Sequence, residues 1–310
     1  MSDTPTGPRA GASSGRAAGV GTATPAARLR PGGRARPADD PIDALWTPAP
    51  GITLVVARAE RLMTDAAALD RLRPEEHRAA ADMAPWRGRE HLAGRALLRL
   101  LLAEVRGEED ARAPVVPEPA GRPRLPGSPR TGVSVSHSGP YTAAAVGDAL
   151  DVGVDVQVPR PPSTGMLRRC CPPDTAARLA SMPPHRAARA FARVWTVQEA
   201  CVKARGTGLP GAPWRVRADP DGPDGTWDAL RWLRLPWPAG AGTGTAALAC
   251  AFGPPRPGPE SAADAPGHRP DAPRNLDGRP ARAPTRRHGA PRPRSGRAVS
   301  PLYVEDPYAY

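Results

Sequence analysis

Lys203 is the only lysine in the 310-residue chain, and the remaining Lys/Arg positions are all arginine. Arginine offers a planar, permanently charged fork, whereas lysine offers a compact ammonium that can give up its proton when its surroundings lower its pKa. Position 203 therefore calls for an ammonium. It lies in Trp195-Thr-Val-Gln-Glu199-Ala-Cys-Val-Lys203, so that on a helix Glu199 shares its face one turn earlier. The spacing serves either a catalytic pair or an ordinary surface ion pair worth roughly a few tenths of a kcal/mol.

Two further segments carry chemistry by residue type. In Gly153-Val-Asp155-Val-Gln157 the period of two puts Asp155 and Gln157 on one face of a strand. Together with Glu199 they make three hard oxygen donors. Such a set suits Mg²⁺, which keeps several waters and binds through one or two carboxylates plus substrate phosphates. The alternative for Asp155 is a capping or paired structural role. In Ser136-His137-Ser138-Gly139, a turn between strands, His137 is open to three readings: phosphate ligand, catalytic base or ordinary loop residue. A Ser-His hydrolase lacks its G-x-S-x-G elbow, and neither Walker A nor G-x-G-x-x-G stands in a strand-turn-helix context. Gly240-Ala-Gly-Thr-Gly244 is at best a hairpin loop.

The elements that must position these residues follow from periodicity. Ile52–Ala57 reads as a strand, followed by helical regions opening near Thr64 and at Pro74. Glu90–Val105 is the clearest helix, with Leu92, Leu97, Leu98, Leu101 and Leu102 on a core face and Arg89, Arg95 and Arg99 around it in solvent. Thr131–Ser136, Tyr141–Val146 and Val152–Val158 read as three strands of one meander-like sheet. Asp174–Leu179 and Ala187–Arg205 read as helices, and Leu230–Leu235 and Thr245–Phe252 as strands. The fold class is α+β: two similar halves, residues 45–150 and 151–255, with a site at their junction.

The 43 prolines and 32 glycines crowd toward the ends of the chain. Residues 1–44 lack hydrophobic periodicity and are expected to be a disordered tail, as are the Pro/Arg-rich residues 256–310. The net charge of +12 comes from excess arginine and invites an acidic partner. With aromatics at only 4% and no basic run interleaved with stacking rings, a non-catalytic arginine-rich nucleic-acid binder is the minority alternative. Cysteines at 170, 171, 201 and 250 form no C-x-x-C pair, which fits a reducing cytoplasm better than a zinc site. Leu97–Val105, interrupted by Arg99, is too short to span a bilayer.

Taken in order, these segments resemble the long, pseudo-dimeric Sfp-type 4′-phosphopantetheinyl transferases, over about Ile52–Phe252. Gly121-Arg-Pro123 looks like that family's G-[KR]-P, Val135-Ser-His-Ser138 like its strand-end SHS and Gly153-Val-Asp155-Val-Gln157 like its GVD-x-E. Trp195-Thr-Val-Gln-Glu199-Ala-Cys-Val-Lys203-Ala-Arg-Gly206-Thr-Gly-Leu209 looks like its W-[ST]-x-K-E-x-x-x-K-x-x-G-x-G-L. Three places depart from the pattern. Gln157 replaces a second carboxylate, Gln198 replaces a lysine, and the acidic Pro74-Glu-Glu-His77 stands where basic residues are usual.

The resemblance implies the pseudo-twofold fold of that family. It also implies transfer of 4′-phosphopantetheine from coenzyme A to a serine of an acyl or peptidyl carrier protein, serving fatty-acid, polyketide or nonribosomal-peptide synthesis. On this reading Mg²⁺ is held by Asp155, Glu199 and Gln157. Glu199 takes the serine proton, Lys203 neutralises the leaving phosphate, and Asp155 completes the catalytic set. Arg122, Ser136 and His137 hold the ribose phosphate end of the coenzyme, with Arg89 and Arg95 as further candidates. The partner is a small acidic carrier protein, and the enzyme is expected to act as a cytoplasmic monomer.

Overall fold

The computed structural model describes residues 32–237 and 246–255. The expected tails at 1–31 and 256–310, and the loop Gly240–Gly244, lie outside the described residues. The chain opens with β1 (Gly33–Ala35), β2 (Ala44–Trp46) and β3 (Ile52–Arg58). Three short helices follow, α1 (Ala59–Leu62), α2 (Ala66–Asp70) and α3 (Pro74–Ala81). Then come the long α4 (Pro85–Arg106), α5 (Glu108–Arg112), a small ribbon of β4 (Val116–Pro117) and β5 (Pro123–Arg124), and the hairpin β6 (Thr131–Ser138) and β7 (Tyr141–Asp148). The second half runs β8 (Asp151–Gln157), α6 (Thr164–Cys170), α7 (Pro173–Ala180), the long α8 (Pro184–Ala204), β9 (Asp224–Trp227), β10 (Leu230–Arg234) and β11 (Ala247–Gly253).

Both long helices begin with proline in the first turn, where the missing N–H has no partner to lose. Gly107, at φ +95°, stops α4 with backbone that other residues seldom adopt.

The tail expected through residue 44 ends earlier, because residues 32–44 are part of the fold. β1 pairs antiparallel with β2, Gly33 opposite Trp46, and Ile42 and Ala44 are buried. Their composition hides this: the pairing is made by backbone and anchored by Trp46 and Ile42, and three-residue strands leave no periodicity to read.

The strands form two main antiparallel sheets, β1-β2-β3-β7-β6 and β8-β11-β10-β9. The meander expectation is thus corrected, since β8 leaves its neighbours and pairs with β11 along Asp151–Gln157. The chain changes sheet in the turn after β7, where Ala149 holds φ +52°. Period-two burial fits four layers. Ile52, Leu54 and Val56 of β3, Val152, Val154 and Val156 of β8, and Leu248, Cys250 and Phe252 of β11 share the core between the sheets. Val55 and Ala57 instead pack under α4 with Leu97, Leu98, Leu101 and Leu102. Ala249 and Ala251 pack under α8 with Phe191, Val194, Val197 and Cys201. Each fully buried Val, Leu, Ile or Phe side chain among these contributes about 1.5–3 kcal/mol. The result is a mixed α/β fold in which each half lays one long helix on one sheet.

Candidate active site

With Val152, Val154 and Val156 turned to the inter-sheet core, Gly153, Asp155 and Gln157 face the other way, toward α8. A Cβ at Gly153 would run into the Ala200 carbonyl, so glycine is what lets the helix lie close on the strand. That approach brings Lys203 to Asp155: Nζ donates to Oδ1 at 2.6 Å, and also to Ser136 Oγ at 3.0 Å. Ser136 Oγ in turn donates to Asp155 Oδ1 at 2.7 Å. Asp155 and Ser136 are buried, while the Lys203 side chain keeps 27% of its surface open. The lone lysine therefore carries its charge at a half-open junction of the two sheets.

Glu199 is half-buried one turn before Lys203 on α8. Gln157 is buried, and its amide nitrogen donates to the Val158 carbonyl at 3.1 Å, which leaves the amide oxygen as the atom able to ligate. His137, at the end of β6, stands with Nδ1 3.3 Å from Glu90 Oε2 of α4. Burial pushes its pKa down to about 4, helped by the positive charges of Lys203, Arg87 and His91. The imidazole is therefore neutral at pH 7.

The structure joins Ser136, Asp155 and Lys203 in one hydrogen-bonded cluster, with His137 next to Ser136 on β6, Gln157 two residues from Asp155 on β8 and Glu199 one turn before Lys203 on α8, whereas Arg122 is engaged elsewhere. Arg122 donates from Nη2 to Asp151 Oδ1 at 2.7 Å and from Nη1 to the Ala204 carbonyl at 2.8 Å. A guanidinium there complements the C-terminal end of α8 and ties the Gly121-Arg-Pro123 turn to both α8 and β8. Arg205 joins the same network, with Nη1 3.6 Å from Asp151 Oδ2 and Nε donating to Asp228 at 2.9 Å. A structural tie thus stands where a contact to coenzyme phosphate is expected.

Arg95 lies 3.8 Å from Glu76, and Arg89 is exposed on α4. Arg99, expected in solvent, is fully buried: Nε and Nη2 reach Glu76 at 2.9 and 2.8 Å, and Nη1 reaches the Ala111 and Ala113 carbonyls. Ser136 directs its hydroxyl to Asp155 and Lys203. Gln198, which stands where the family carries lysine, is buried and donates to the Cys170 and Val216 carbonyls at 2.7 and 3.1 Å. The buried thiols are kept protonated, with burial raising Cys170 and Cys171 to about 11 and Cys250 to about 12.

The sequence reading missed Glu90, Arg87 and His91 beside His137, and Ser134 and Ser138 beside Ser136. The i, i+4 spacing of Arg87 and His91 on one helix face, and the serines at alternate strand positions, were the available signals. Among the described residues no group of three or more His, Cys, Asp and Glu side chains is placed to hold a metal, and no helix is long and apolar enough to cross a membrane.

Residues 75–147 match the 4′-phosphopantetheinyl transferase N-terminal domain, and residues 151–230 match the 4′-phosphopantetheinyl transferase superfamily. The two matches meet at the turn where the chain passes between sheets. The chain is 28% identical over 133 residues to a 4′-phosphopantetheinyl transferase of Bacillus subtilis, covering 42% of this chain and 59% of that protein. It is 31% identical over 130 residues to the 4′-phosphopantetheinyl transferase HetI of Nostoc sp., covering 40% and 55%. To the 4′-phosphopantetheinyl transferase AcpT of Salmonella typhi it is 30% identical over 131 residues, covering 40% and 60%. In each case the match spans less than two thirds of the relative's length. The two matched segments lie on either side of the turn between the sheets, and Ser136, His137, Asp155, Glu199 and Lys203 all fall inside them, so the chain is similar to the 4′-phosphopantetheinyl transferases over the residues that build this site.

Proposed function

We propose that this protein transfers the 4′-phosphopantetheine moiety of coenzyme A to a serine hydroxyl of an acyl or peptidyl carrier protein. The serine oxygen attacks the β-phosphorus of the coenzyme's pyrophosphate, the P–O bond to the α-phosphate breaks, and adenosine 3′,5′-bisphosphate leaves. The observation that carries the reading is the Lys203–Asp155 contact of 2.6 Å at the junction of the two family-matched segments. Phosphoryl transfer depends mainly on positioning and on neutralising charge as it develops. Lys203 is a compact cation able to follow the leaving phosphate, and Glu199, one turn away, is the side chain assigned to accept the serine proton.

The donor chemistry fits Mg²⁺: two carboxylates, Asp155 and Glu199, and the amide oxygen of Gln157 are all hard oxygens. When bound, Mg²⁺ would neutralise and orient the pyrophosphate. His137, neutral and beside Glu90, is assigned to the phosphate end of the coenzyme, with Arg89, exposed on α4 next to Glu90 in the chain, as a further candidate. Residues 45–150 and 151–255 are taken as the two subdomains, acting as a cytoplasmic monomer. The carrier served belongs to fatty-acid, polyketide or nonribosomal-peptide synthesis, and an acidic carrier suits a chain of net charge +12.

Intact-mass analysis of purified apo carrier proteins, incubated with the protein, coenzyme A and Mg²⁺, tests the reading. A phosphopantetheine mass gain on a single serine is expected. No gain on any carrier class would overturn it.

A further inference from the structure

Three serines stand at alternate positions of β6, and Ser134, Ser136 and Ser138 are all buried. β6 is the last strand of its sheet and β8 the first of the other. Toward β8, β6 presents hydroxyls: Ser134 Oγ accepts from Val154 N–H at 3.0 Å, Ser136 Oγ from Val156 N–H at 3.3 Å, and Ser138 Oγ from Val158 N–H at 3.0 Å. The bonds advance two residues at a time on both strands and form one clamp between the halves.

Only the middle serine goes further. A hydroxyl has one proton and two lone pairs. Ser136 gives its proton to Asp155 Oδ1 at 2.7 Å and accepts from both Val156 N–H and Lys203 Nζ, which uses all three. No hydrogen bond is left for a coenzyme oxygen. The lysine stem is long and its three donors rotate freely, so each fixed acceptor narrows the positions open to the ammonium. Ser136 Oγ, 3.0 Å away, is such an acceptor beside Asp155 Oδ1, and it belongs to the strand of the other half.

We infer that Ser136 is a positioning residue, which holds the Lys203 ammonium in register with Asp155 and ties that register to the strand of the other half. Its consequence for turnover rests on the proposed transfer reaction, whereas its structural content does not. Ser134 supplies the control, because it makes the same backbone clamp without reaching Asp155 or Lys203.

The single lysine makes the test direct, since protein labelled with ¹³Cε,¹⁵Nζ-lysine gives one side-chain signal set. Ser136→Ala is expected to shift that signal and lower the order of the ammonium, Ser134→Ala to leave it in place, and Ser136→Thr to restore it. In the unsubstituted protein a nuclear Overhauser contact between Lys203 Hε and Ser136 Hβ is expected, which requires no variant to fold. An unmoved signal in Ser136→Ala, or no such contact, overturns the inference.

In carrier-protein modification, Ser136→Ala should lower kcat roughly tenfold, as expected for one lost charge-assisted hydrogen bond, with KM for coenzyme A little changed. A raised KM at unchanged kcat would make Ser136 a coenzyme ligand and also overturn it. If the unsubstituted protein modifies no carrier, the proposed function fails while the lysine signal still decides the role of Ser136.

Discussion

Glu76 on α3 and Arg99 on α4 form a doubly hydrogen-bonded ion pair, at 2.8 and 2.9 Å, with the arginine fully buried. Glu76 also accepts from the Arg73 backbone N–H at 3.0 Å, closing the start of α3. The acidic stretch that departs from the family pattern thus has a structural occupation. Removing one partner leaves a buried charge, which costs about 3–5 kcal/mol. Arg99→Met is expected to destabilise the protein by that order in urea unfolding. The Glu76→Leu/Arg99→Met double variant should recover most of it. Equal stability of wild type and Arg99→Met would mean that Glu76 finds another cation, with Arg95 the neighbour at 3.8 Å.

Lys203→Arg should reduce carrier-protein modification by about tenfold or more while leaving the melting temperature near that of wild type. The charge survives, but a planar fork cannot occupy the point between Asp155 Oδ1 and Ser136 Oγ that the ammonium holds. Wild-type turnover in this variant would reduce Lys203 to an ion-pair partner.

Gln157→Glu adds an anionic oxygen beside Asp155 and should lower the Mg²⁺ concentration needed for half-maximal transfer, whereas Gln157→Ala should raise it. The carboxylate can no longer donate to the Val158 carbonyl, so Gln157→Glu should also lose about 1 kcal/mol of stability. A Mg²⁺ titration of transfer and a urea melt read the two effects separately. Superimposable titrations for wild type and both variants would remove position 157 from the metal set.

The pH dependence of stability should carry the signature of His137. Its imidazole ordinarily titrates at 6.5, and in the folded protein near 4, lowered first by burial and then by Lys203, Arg87 and His91. Glu90 at 3.3 Å acts in the opposite direction. Between pH 6.5 and about 4 the unfolded chain therefore binds more protons, and stability falls as pH drops through that window. Above it both states are neutral and this group contributes no slope. Urea melts across pH 4–7 should show a shallower acid loss for His137→Gln, with a remainder from His91, which burial also shifts down. An unchanged slope would mean that the folded imidazole titrates near its ordinary value.

What local pattern could determine, the sequence determined. The leucine face of α4, the alternation around Asp155 and the Glu199/Lys203 spacing all depend on residues close along the chain, where helix and strand periods set direction. That the one lysine of the chain stands on this helix face was likewise legible, because residue type alone separates lysine from arginine. Three things were decided only by tertiary packing. β8 joined β11 rather than β7, since a strand of alternating valines fits either sheet until long-range partners compete for its edge. Arg99 and Arg122 became internal ties because Glu76 and Asp151, 23 and 29 residues away, met them in space. Ser136 turned its hydroxyl to Lys203, 67 residues along the chain, because the serine clamp holds β6 against β8 while the glycine at 153 lets α8 lie close on β8, so that all three elements share one hydrogen-bonded cluster. Hydrogen bonds act over about 3 Å, so which distant groups pair is decided by how the sheets and helices pack, and no periodicity in the chain records it.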